Sequence, residues 1–274
     1  MAIVANTNVS SLIASRNVGQ TVMGFSKSIN KLSTGLRVAV AADDAAGLAV
    51  SEGLRSVFKS LRVASRNAAD GISVTQISEG GMQEVSNILG RMKELATQAA
   101  TGVLTSGQRG NIQSEFRQLQ TEISRVASSV TFQGNTLLNG SVTNLVLQVG
   151  TVSTDTLAID LTGSKVDNLA SGASTTSVAS QTGAQGALGL IDADISRVAD
   201  ARAVVASIQN RLDSTIANIN IMAENNQASE SRVRDLDFAS EFSNFSKLQV
   251  LQQAGVSVLA QANQLTQAVL GLLR

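Results

Sequence analysis

The stretch LQVLQQAGVSVLAQANQLTQAVLGLL, residues 248–273, runs for 26 residues without a charged side chain. Its apolar and small residues recur at alternating steps of three and four, which is typical of a helix with one apolar seam. The seam consists of Leu248, Leu251, Gly255, Val258, Ala262, Leu265, Val269 and Leu272. Six glutamines and Asn263 interrupt the stretch. Because hydrocarbon strongly disfavours amide groups, the segment is not predicted to cross a membrane.

The amino-terminal end of the chain has a similar character. Between residues 1 and 26 the one charged residue is Arg16. Apolar or small residues fall near one helical stripe at Val9, Leu12, Gly19, Val22 and Ile29. An uncharged helix at each end indicates surfaces that bury each other and are then covered by copies of the same chain. This pattern favours a protein that assembles over one that catalyses a reaction.

The composition removes most of the side chains on which catalysis and metal binding depend. The 274 residues contain no cysteine, histidine, tryptophan, tyrosine or proline. A Ser-His-Asp triad, a thiolate nucleophile, the usual zinc ligands and disulfides are therefore excluded. An enzyme hypothesis is left with a hydrolase that uses Asp or Glu alone, and Asp43–Asp44 is the one adjacent carboxylate pair. We expect no enzymatic activity, no metal and no cofactor.

Charge and the first residues exclude further classes of partner. The 21 basic and 21 acidic residues cancel, so there is no net field to attract nucleic acid or an anionic membrane. The only aromatic residues are seven phenylalanines, which argues against stacking platforms for single-stranded nucleic acid. Residues 1–6 lack a basic segment followed by a long apolar run, so no cleaved signal peptide is predicted.

The periodicity predicts a mainly α fold, a long antiparallel helical bundle or coiled-coil rod with a small β-hairpin region at the chain midpoint. Asp43 and Asp44 are predicted to cap a helix that continues to about residue 99. Gly71, Gly80 and Gly81 lie inside that helix and indicate bends or close contacts. The predicted parts are a core helix with its connector at 1–42, rod helices at 43–129, a β-hairpin with a Ser/Thr/Gly-rich loop at 130–186, a rod helix at 187–230 and a core helix at 231–274.

Three local predictions follow from the same patterns. A third helix is predicted over residues 111–128. Residues 163–187 are rich in small and hydroxyl side chains and are predicted to be an exposed or poorly ordered link. Phe238, Phe242 and Phe245 are spaced by four and three, which predicts residues of the helix seam rather than a ligand pocket.

Several segments of the chain resemble bacterial flagellin. They are INKLSTGLR at 29–37, ADDAAGL at 42–48, SRNAADGI at 65–72, FQGNTLLNG at 132–140, LQQAGVSVLAQAN at 251–263 and LLR at 272–274. The likeness covers residues 1 to about 140 and about 187 to 274, in order. Since many flagellins insert large outer domains where this chain has only residues 141–186, the chain resembles a short form of the family.

The resemblance implies a structural subunit that polymerises with copies of itself into the helical bacterial flagellar filament used for motility. It implies secretion to an extracellular flagellum without a cleaved signal peptide. The implied partners are the flagellar export apparatus, an export chaperone, a filament cap and hook-junction proteins. The alternative is a protein of the hook–filament junction, or another secreted coiled-coil adaptor, that caps or joins filaments but does not extend them.

Two departures from the family pattern fall at the carboxy-terminal end. Thr266 stands where many flagellins have proline, so the last helix is expected to continue without interruption. Leu236 replaces the usual small residue between two aspartates and is expected to alter a local packing contact.

One stretch of the predicted rod admits two interpretations. By resemblance, Arg91, Glu94, Leu95, Gln98 and Glu115 match a flagellin surface that contacts the animal Toll-like receptor 5. The periodicity alone predicts an ordinary amphipathic turn in which Leu95 faces inward and the charged residues are solvated. The matching segments also depart from the family, since Gly90 and Lys93 stand where Gln and Arg are commonest.

We hypothesise that folding of the two ends is coupled to polymerisation. An apolar seam with few partners in its own chain does not offset the entropy of ordering it, so the terminal helices are expected to order only when copies cover them. The residues predicted to form the polymerisation core are Val9, Leu12, Val22, Ile29, Leu248, Leu251, Val258, Leu265, Val269 and Leu272. Deletion of residues 263–274 is expected to abolish polymerisation.

Overall fold

The structure is a computed structural model that describes residues 7–272, with side chains described as far as Gln264. The predicted core residues Leu265, Val269 and Leu272 therefore lie outside the described side chains. In chain order the elements are α1 (Val9–Thr34), α2 (Ala45–Ala99), α3 (Ser106–Ser129), β1 (Thr131–Phe132), β2 (Asn135–Thr136), β3 (Asn144–Gln148), β4 (Thr156–Asp160), α4 (Val166–Leu169), α5 (Ser171–Thr175), α6 (Gln181–Arg234) and α7 (Phe238–Leu272). The prediction of a mainly α chain with a small β region near its midpoint is confirmed.

The chain divides into two compact units. The terminal unit comprises residues 1–56 and 225–274 and contains α1 and α7. The central unit comprises residues 57–224 and contains α3, α4, α5 and all four strands. Helices α2 and α6 contribute residues to both units.

The central unit is built on two antiparallel helices, α2 and α6. Lys93 Nζ lies 2.6 Å from the Asp192 carboxylate, whereas Arg202 pairs with Glu79 at 3.4 Å, so sequence numbers rise in opposite directions along the two helices. Helix α3 packs on the same core. Apolar residues at helical spacing supply that core, and its fully buried side chains include Met82, Leu89, Met92, Phe116, Ile191 and Leu212.

Strands β3 and β4 form the predicted antiparallel hairpin. Leu145 pairs with Ile159, and Leu147 pairs with Leu157. Alternate residues face the core, where Leu157 and Ile159 are buried, while Val146 points outward. A second pair of two-residue strands, β1 and β2, precedes the hairpin and was not predicted.

Two glycines of α2 allow close contact with the β region. A Cβ atom built on Gly71 would overlap Leu147, and one built on Gly81 would lie 2.7 Å from Leu138. Nothing lies within 4 Å of the corresponding position at Gly80. The predicted close helix contact is present at Gly71, where the added Cβ would lie 3.4 Å from Leu212 of α6, whereas the neighbours of Gly81 lie outside the helices. Helix α2 is a single helix through all three glycines.

The prediction of an exposed or poorly ordered link at residues 163–187 is wrong. The segment contains α4 and α5, and Leu169 and Ala173 are buried. Polar side chains of neighbouring helices hold its backbone: Asp194 accepts hydrogen bonds from two amides at the start of α5, and Gln120 Nε2 donates to the Ala173 carbonyl at 2.7 Å. Small side chains that resemble a linker in composition here permit close packing.

Two helices are longer than predicted. Helix α3 begins at Ser106 instead of residue 111, because Thr105 and Gln108 form a reciprocal capping box at its start. Helix α6 begins at Gln181 and continues to Arg234, beyond the predicted limits of 187 and 230. Capping and packing thus extend helices into segments that have little apolar periodicity of their own.

The two aspartates of the predicted capping pair, Asp43 and Asp44, have different partners. Asp44 Oδ1 accepts a hydrogen bond of 2.9 Å from the Gly47 amide, so Asp44 caps α2 as predicted. Asp43 does not cap the helix: its carboxylate accepts hydrogen bonds from the connector at Ala39 and lies 2.7 Å from Lys27 Nζ. The hydrogen bond from Lys27 lowers the pKa of the Asp43 carboxyl below its usual value.

Both connectors of the terminal unit meet at one short antiparallel bridge. Helix α1 ends at Gly35, whose φ of 71° is left-handed and suits glycine. The Arg37 amide donates to the Arg234 carbonyl at 2.7 Å, and the Leu236 amide donates to the Gly35 carbonyl at 3.0 Å. The hydrogen bond from the Leu236 amide thus holds the end of α1 close to the start of α7.

Candidate functional site

Helices α1 and α7 pack antiparallel. At one end of the pair, Asn8 Nδ2 donates to the Ala262 carbonyl at 2.9 Å. At the other end, Ser28 Oγ donates to Glu241 at 2.5 Å. Ser28 is the one buried residue of α1. The contact between the helices therefore combines hydrogen bonds with half-buried apolar side chains such as Val18 and Leu248.

Glycines bring the two helix backbones together. A Cβ built on Gly255 would lie 2.9 Å from Val18, and one built on Gly24 would lie 3.5 Å from Leu248. A larger residue at Gly255 would force the helices apart, whereas a Cβ at Gly24 would make an ordinary van der Waals contact. Gly255 thus permits a short distance between α1 and α7.

Large apolar side chains lie mainly on the outer faces of this helix pair. Leu12 is 63% exposed and Val258 is 55% exposed. Seven predicted polymerisation residues have described side chains: Leu248 is half-buried, and the exposed ones are Val9, Leu12, Val22, Ile29, Leu251 and Val258. A stable soluble helix pair buries most of its large apolar side chains, whereas this pair leaves these six in solvent.

The predicted seam of α7 divides between two faces. Leu248, Gly255 and Ala262 are half-buried, whereas Leu251 and Val258 are exposed. The interpretation of the seam as one surface is therefore wrong, because a strict seven-residue repeat contributes one column to the inner face and another to the outer face. The two exposed members of this repeat, Leu251 and Val258, are called the outer stripe.

Further exposed apolar residues of the terminal unit were missed by the seam analysis. Ile13, Met23, Val40, Val250 and Val256 are all exposed. They lie off the predicted seams, so periodicity did not select them. The signal available in the sequence was the near absence of charge from both terminal segments, which leaves no conventional solvent-facing side on either helix.

The phenylalanines of α7 are only partly seam residues. The Phe245 ring stacks on Phe25 of α1, with ring centroids 4.9 Å apart. Phe238 and Phe242 are exposed instead, so the prediction that all three belong to the seam is wrong for these two. Phe242 lies beside Phe245, with centroids 6.1 Å apart, so the exposed ring has a rigid aromatic neighbour.

The segment matched to the receptor surface lies in the central unit. Arg91 binds both Glu115, at 2.8 Å, and Glu94, at 2.9 Å, and these carboxylates raise the pKa of the arginine. Gln98 is exposed on the same helix. Leu95 is only 2% exposed and belongs to the core, as the amphipathic-turn interpretation predicts. The segment thus presents a charged and amide surface with its leucine turned inward.

The described part of the chain provides no sign of a metal site or a membrane span. Within residues 7–272, no group of three acidic residues is placed to hold a metal ion. Over the same residues, none of the helices combines the length and the apolar character needed to cross a bilayer. The exposed apolar faces of α1 and α7 are therefore the most distinctive surface available for a function.

These features define a mainly α protein whose two terminal helices pair with each other and expose apolar side chains. The family model of the bacterial flagellin N-terminal helical region matches residues 5–143, and that of the C-terminal helical region matches residues 188–273. The chain therefore belongs to the bacterial flagellin family, and it is a structural subunit of a flagellar filament that serves motility.

Individual relatives support the same assignment. A flagellin of Halalkalibacterium halodurans is 40% identical over 99% of this chain and 100% of its own length. Flagellin FlaB2 of Treponema pallidum is 39% identical over the same shares of the two chains. These relatives show that the short form without large outer domains is a full-length arrangement in this family. As the family is structural, it implies a protein that is not an enzyme.

Two solved structures show the likeness in three dimensions. The flagellin of Bacillus cereus superposes with a TM-score of 0.51 at 30% identity, covering 56% of this chain and 88% of that one. A putative flagellar hook-associated protein from Vibrio parahaemolyticus reaches a TM-score of 0.58 at 16% identity, covering 70% of this chain and all of that one. The second likeness concerns the fold alone, and the junction-protein alternative is not favoured.

Proposed function

We propose that the outward faces of α1 and α7 are the surfaces through which copies of this chain pack in the filament. The observation that carries the proposal is the set of large apolar side chains that the terminal pair leaves exposed on its outer faces. The inner contact of the pair covers Ser28, Val18 and Leu248 at least in part, while Leu12 and Val258 remain in solvent. Covering those outer faces with identical neighbours removes the apolar surface from water without a new partner protein.

The energetics require many of these residues to act together. Complete burial of a large apolar side chain contributes about 1.5–3 kcal/mol, so one that is already half covered contributes about 1 kcal/mol. Association costs roughly 4–15 kcal/mol in lost translational and rotational freedom. Twelve large apolar side chains of α1 and α7 are exposed within the described residues. Their combined burial is of the size that the association cost demands.

The distribution of charge suits a polymer of identical chains. In a helical array each copy presents the same surfaces to its neighbours. A charged stripe on one copy would therefore lie near the same charged stripe on neighbouring copies. Residues 248–273 carry no charge, and residues 1–26 carry only Arg16. The terminal helices can therefore approach their copies without burying unpaired charge, which is costly.

A matched pair of substitutions tests the proposal. Val258→Lys places a cation in the outer stripe, and Val204→Lys places the same cation on α6, where the valine is 51% exposed. Burial of an unpaired ammonium is disfavoured by several kcal/mol, so Val258→Lys is expected to raise the critical concentration for polymerisation at least tenfold. Sedimentation of filaments over a series of protein concentrations measures the critical concentration. Equal effects of the two substitutions would contradict the proposed surface.

The exposed faces also require protection before assembly, so we extend the proposal to the partners known for the family. An export chaperone is proposed to cover α7 until the flagellar export apparatus takes the chain. A distal cap and hook-junction proteins are proposed to receive it outside the cell. The support is the exposure of Leu251 and Val258, because an exposed apolar surface on the free subunit favours unwanted association. A chaperone that binds wild-type chain and Val258→Lys equally well would contradict this extension.

We also propose that the charged surface around Arg91 contacts Toll-like receptor 5. Arg91, Glu94, Gln98 and Glu115 support this by their grouping on the surface of α2 and α3, whereas the buried Leu95 supports the backbone from beneath. Arg91→Ala removes the group that binds both carboxylates and is expected to reduce receptor activation by the monomer. Arg117→Ala, an exposed arginine elsewhere on α3, is the control. Unchanged activation by Arg91→Ala would contradict the contact.

A further inference from the structure

A groove lies between α1 and the connector that follows it, entirely within the terminal unit. Its volume is about 480 Å³, and none of its lining residues belongs to α7. Val22, Met23 and Val40 supply its large apolar lining, and all three are exposed, Met23 to 67%. The ion pair between Lys27 and Asp43 fastens the connector to α1 and so fixes the shape of the groove.

An apolar projection lies on the first turns of α7 in the same unit. Phe238 and Phe242 are exposed there, Phe242 to 62%, and we call these two rings the aromatic knob. Phe245 lies 6.1 Å from Phe242 and is itself stacked on Phe25, which holds the base of the knob in place. Preorganised aromatic side chains of this kind are common anchors of protein interfaces, because they bury a large area at a small entropic cost.

The charges at the two features are complementary. Lys31 lines the groove, and among the described residues it makes no ion pair. Asp237 is exposed beside the aromatic knob, and its carboxylate accepts hydrogen bonds from two α7 amides but forms no ion pair within the described chain. A knob with a negative rim therefore matches a groove with a positive rim, which favours one orientation of approach.

We infer that the aromatic knob of one copy inserts into the groove of a second copy. The inference rests on the proposed function, since it identifies one of the contacts by which the outer faces of the terminal unit pack. Because groove and knob are different parts of the same unit, each subunit can receive one neighbour in its groove and insert its knob into another, which is a heterologous contact. Contacts of this kind that do not close by rotation generate open helical filaments.

The absence of cysteine from the chain allows a direct test by cross-linking. Two single-cysteine variants, Met23→Cys and Phe242→Cys, are polymerised separately and as an equal mixture, and the filaments are then oxidised. The mixed filaments are expected to yield disulfide-linked dimers at least tenfold above the yield from either variant alone. Val250→Cys, another exposed position of α7, replaces Phe242→Cys in the control mixture and is expected to give only background dimers.

The outcomes separate the inference from the function on which it rests. Mixed filaments that form normally but yield no dimers above background would overturn the knob-and-groove contact and leave the proposed assembly surface intact. Equal dimer yields with Phe242→Cys and Val250→Cys would also overturn it. The substitution Phe242→Ala provides an independent measurement, and a critical concentration at least tenfold above the wild-type value is expected. An unchanged critical concentration would contradict the inference.

Discussion

The central and terminal units bury their apolar residues in opposite ways. The central unit encloses a continuous core in which Leu89, Met92 and Phe116 are completely buried. Within the described residues of the terminal unit, by contrast, only Ser28, Val38 and Ser51 are buried. Both units consist mainly of helix, so secondary structure alone does not distinguish them.

The difference indicates where each unit obtains its stability. A core of large apolar side chains stabilises the central unit within one chain. The terminal unit is helical, but few of its side chains are buried. Regions with so little burial have low local stability. We propose that neighbouring copies supply the missing apolar burial of the terminal unit, so that one chain combines a part that folds alone with a part completed by polymerisation.

The largest expected difference comes from removing one leucine in each unit. Leu89→Ala creates a cavity in the central core and is expected to lower the free energy of unfolding of the monomer by about 2–5 kcal/mol. Leu251→Ala removes an exposed side chain and is expected to change it by less than about 0.5 kcal/mol, while raising the critical concentration for polymerisation. Urea unfolding followed by circular dichroism gives the first quantity. Equal destabilisation of the monomer would remove the distinction between the units.

A smaller effect is expected where α2 ends in the central unit. The Arg109 guanidinium donates to the carbonyls of Ala99, Thr101 and Leu104, at distances from 2.6 to 2.9 Å. Hydrogen bonds to a charged group contribute about 1.5–3 kcal/mol, so Arg109→Ala is expected to destabilise the monomer by about 2 kcal/mol. Arg117→Ala serves as the control in urea unfolding, since Arg117 lies on α3 as Arg109 does. A loss below the experimental error for Arg109→Ala would show that water replaces these bonds at no cost.

Neighbouring glycines of α2 should respond with opposite signs. Gly80→Ala meets open space and is expected to stabilise the central unit by about 1 kcal/mol through helix propensity. Gly81→Ala places a methyl group against Leu138 and Val130, and overpacking costs roughly 1–3 kcal/mol. Thermal unfolding of the two variants measures the difference. Equal stabilisation by both would mean that the β region is not packed tightly on α2.

The smallest predicted effect concerns the ion pair of the terminal unit. The hydrogen bond from Lys27 lowers the folded-state pKa of Asp43. Its stabilising contribution is therefore fully present above the unfolded pKa and is lost as the pH falls through the folded one. An exposed pair of this kind contributes at most about 1 kcal/mol. Carbon NMR titration of Asp43 is expected to show its pKa rising in Lys27→Met, and an unchanged pKa would contradict the assigned cause.

Periodicity predicted the elements that depend on strong local signals. The cap at Asp44 and the hairpin of β3 and β4 were both foreseen from the sequence. Each is fixed by residues close together in the chain: a short acidic side chain before a helix, and alternating apolar residues. Such signals do not require knowledge of distant partners.

The errors arose where distant residues decide the structure. Residues 163–187 resemble a linker in composition, and only the contacts with Gln120 and Asp194 show that they are packed. Six of the seven predicted polymerisation residues with described side chains are exposed, and their role in assembly stays a prediction. The sequence did not show which residues face α1 and which face solvent, because the spacing of three and four fits both Leu248 and Leu251.

Hydrogen exchange measured on the monomer and on the filament tests the central claim most directly. Peptides from α1 and α7 are expected to exchange at least 100-fold more slowly in the filament than in dilute monomer, since copies supply their missing burial. Peptides covering residues 82–99 of the central core are expected to exchange slowly and equally in both states. Strong protection of α1 and α7 already present in dilute monomer, with no further slowing in the filament, would contradict the account.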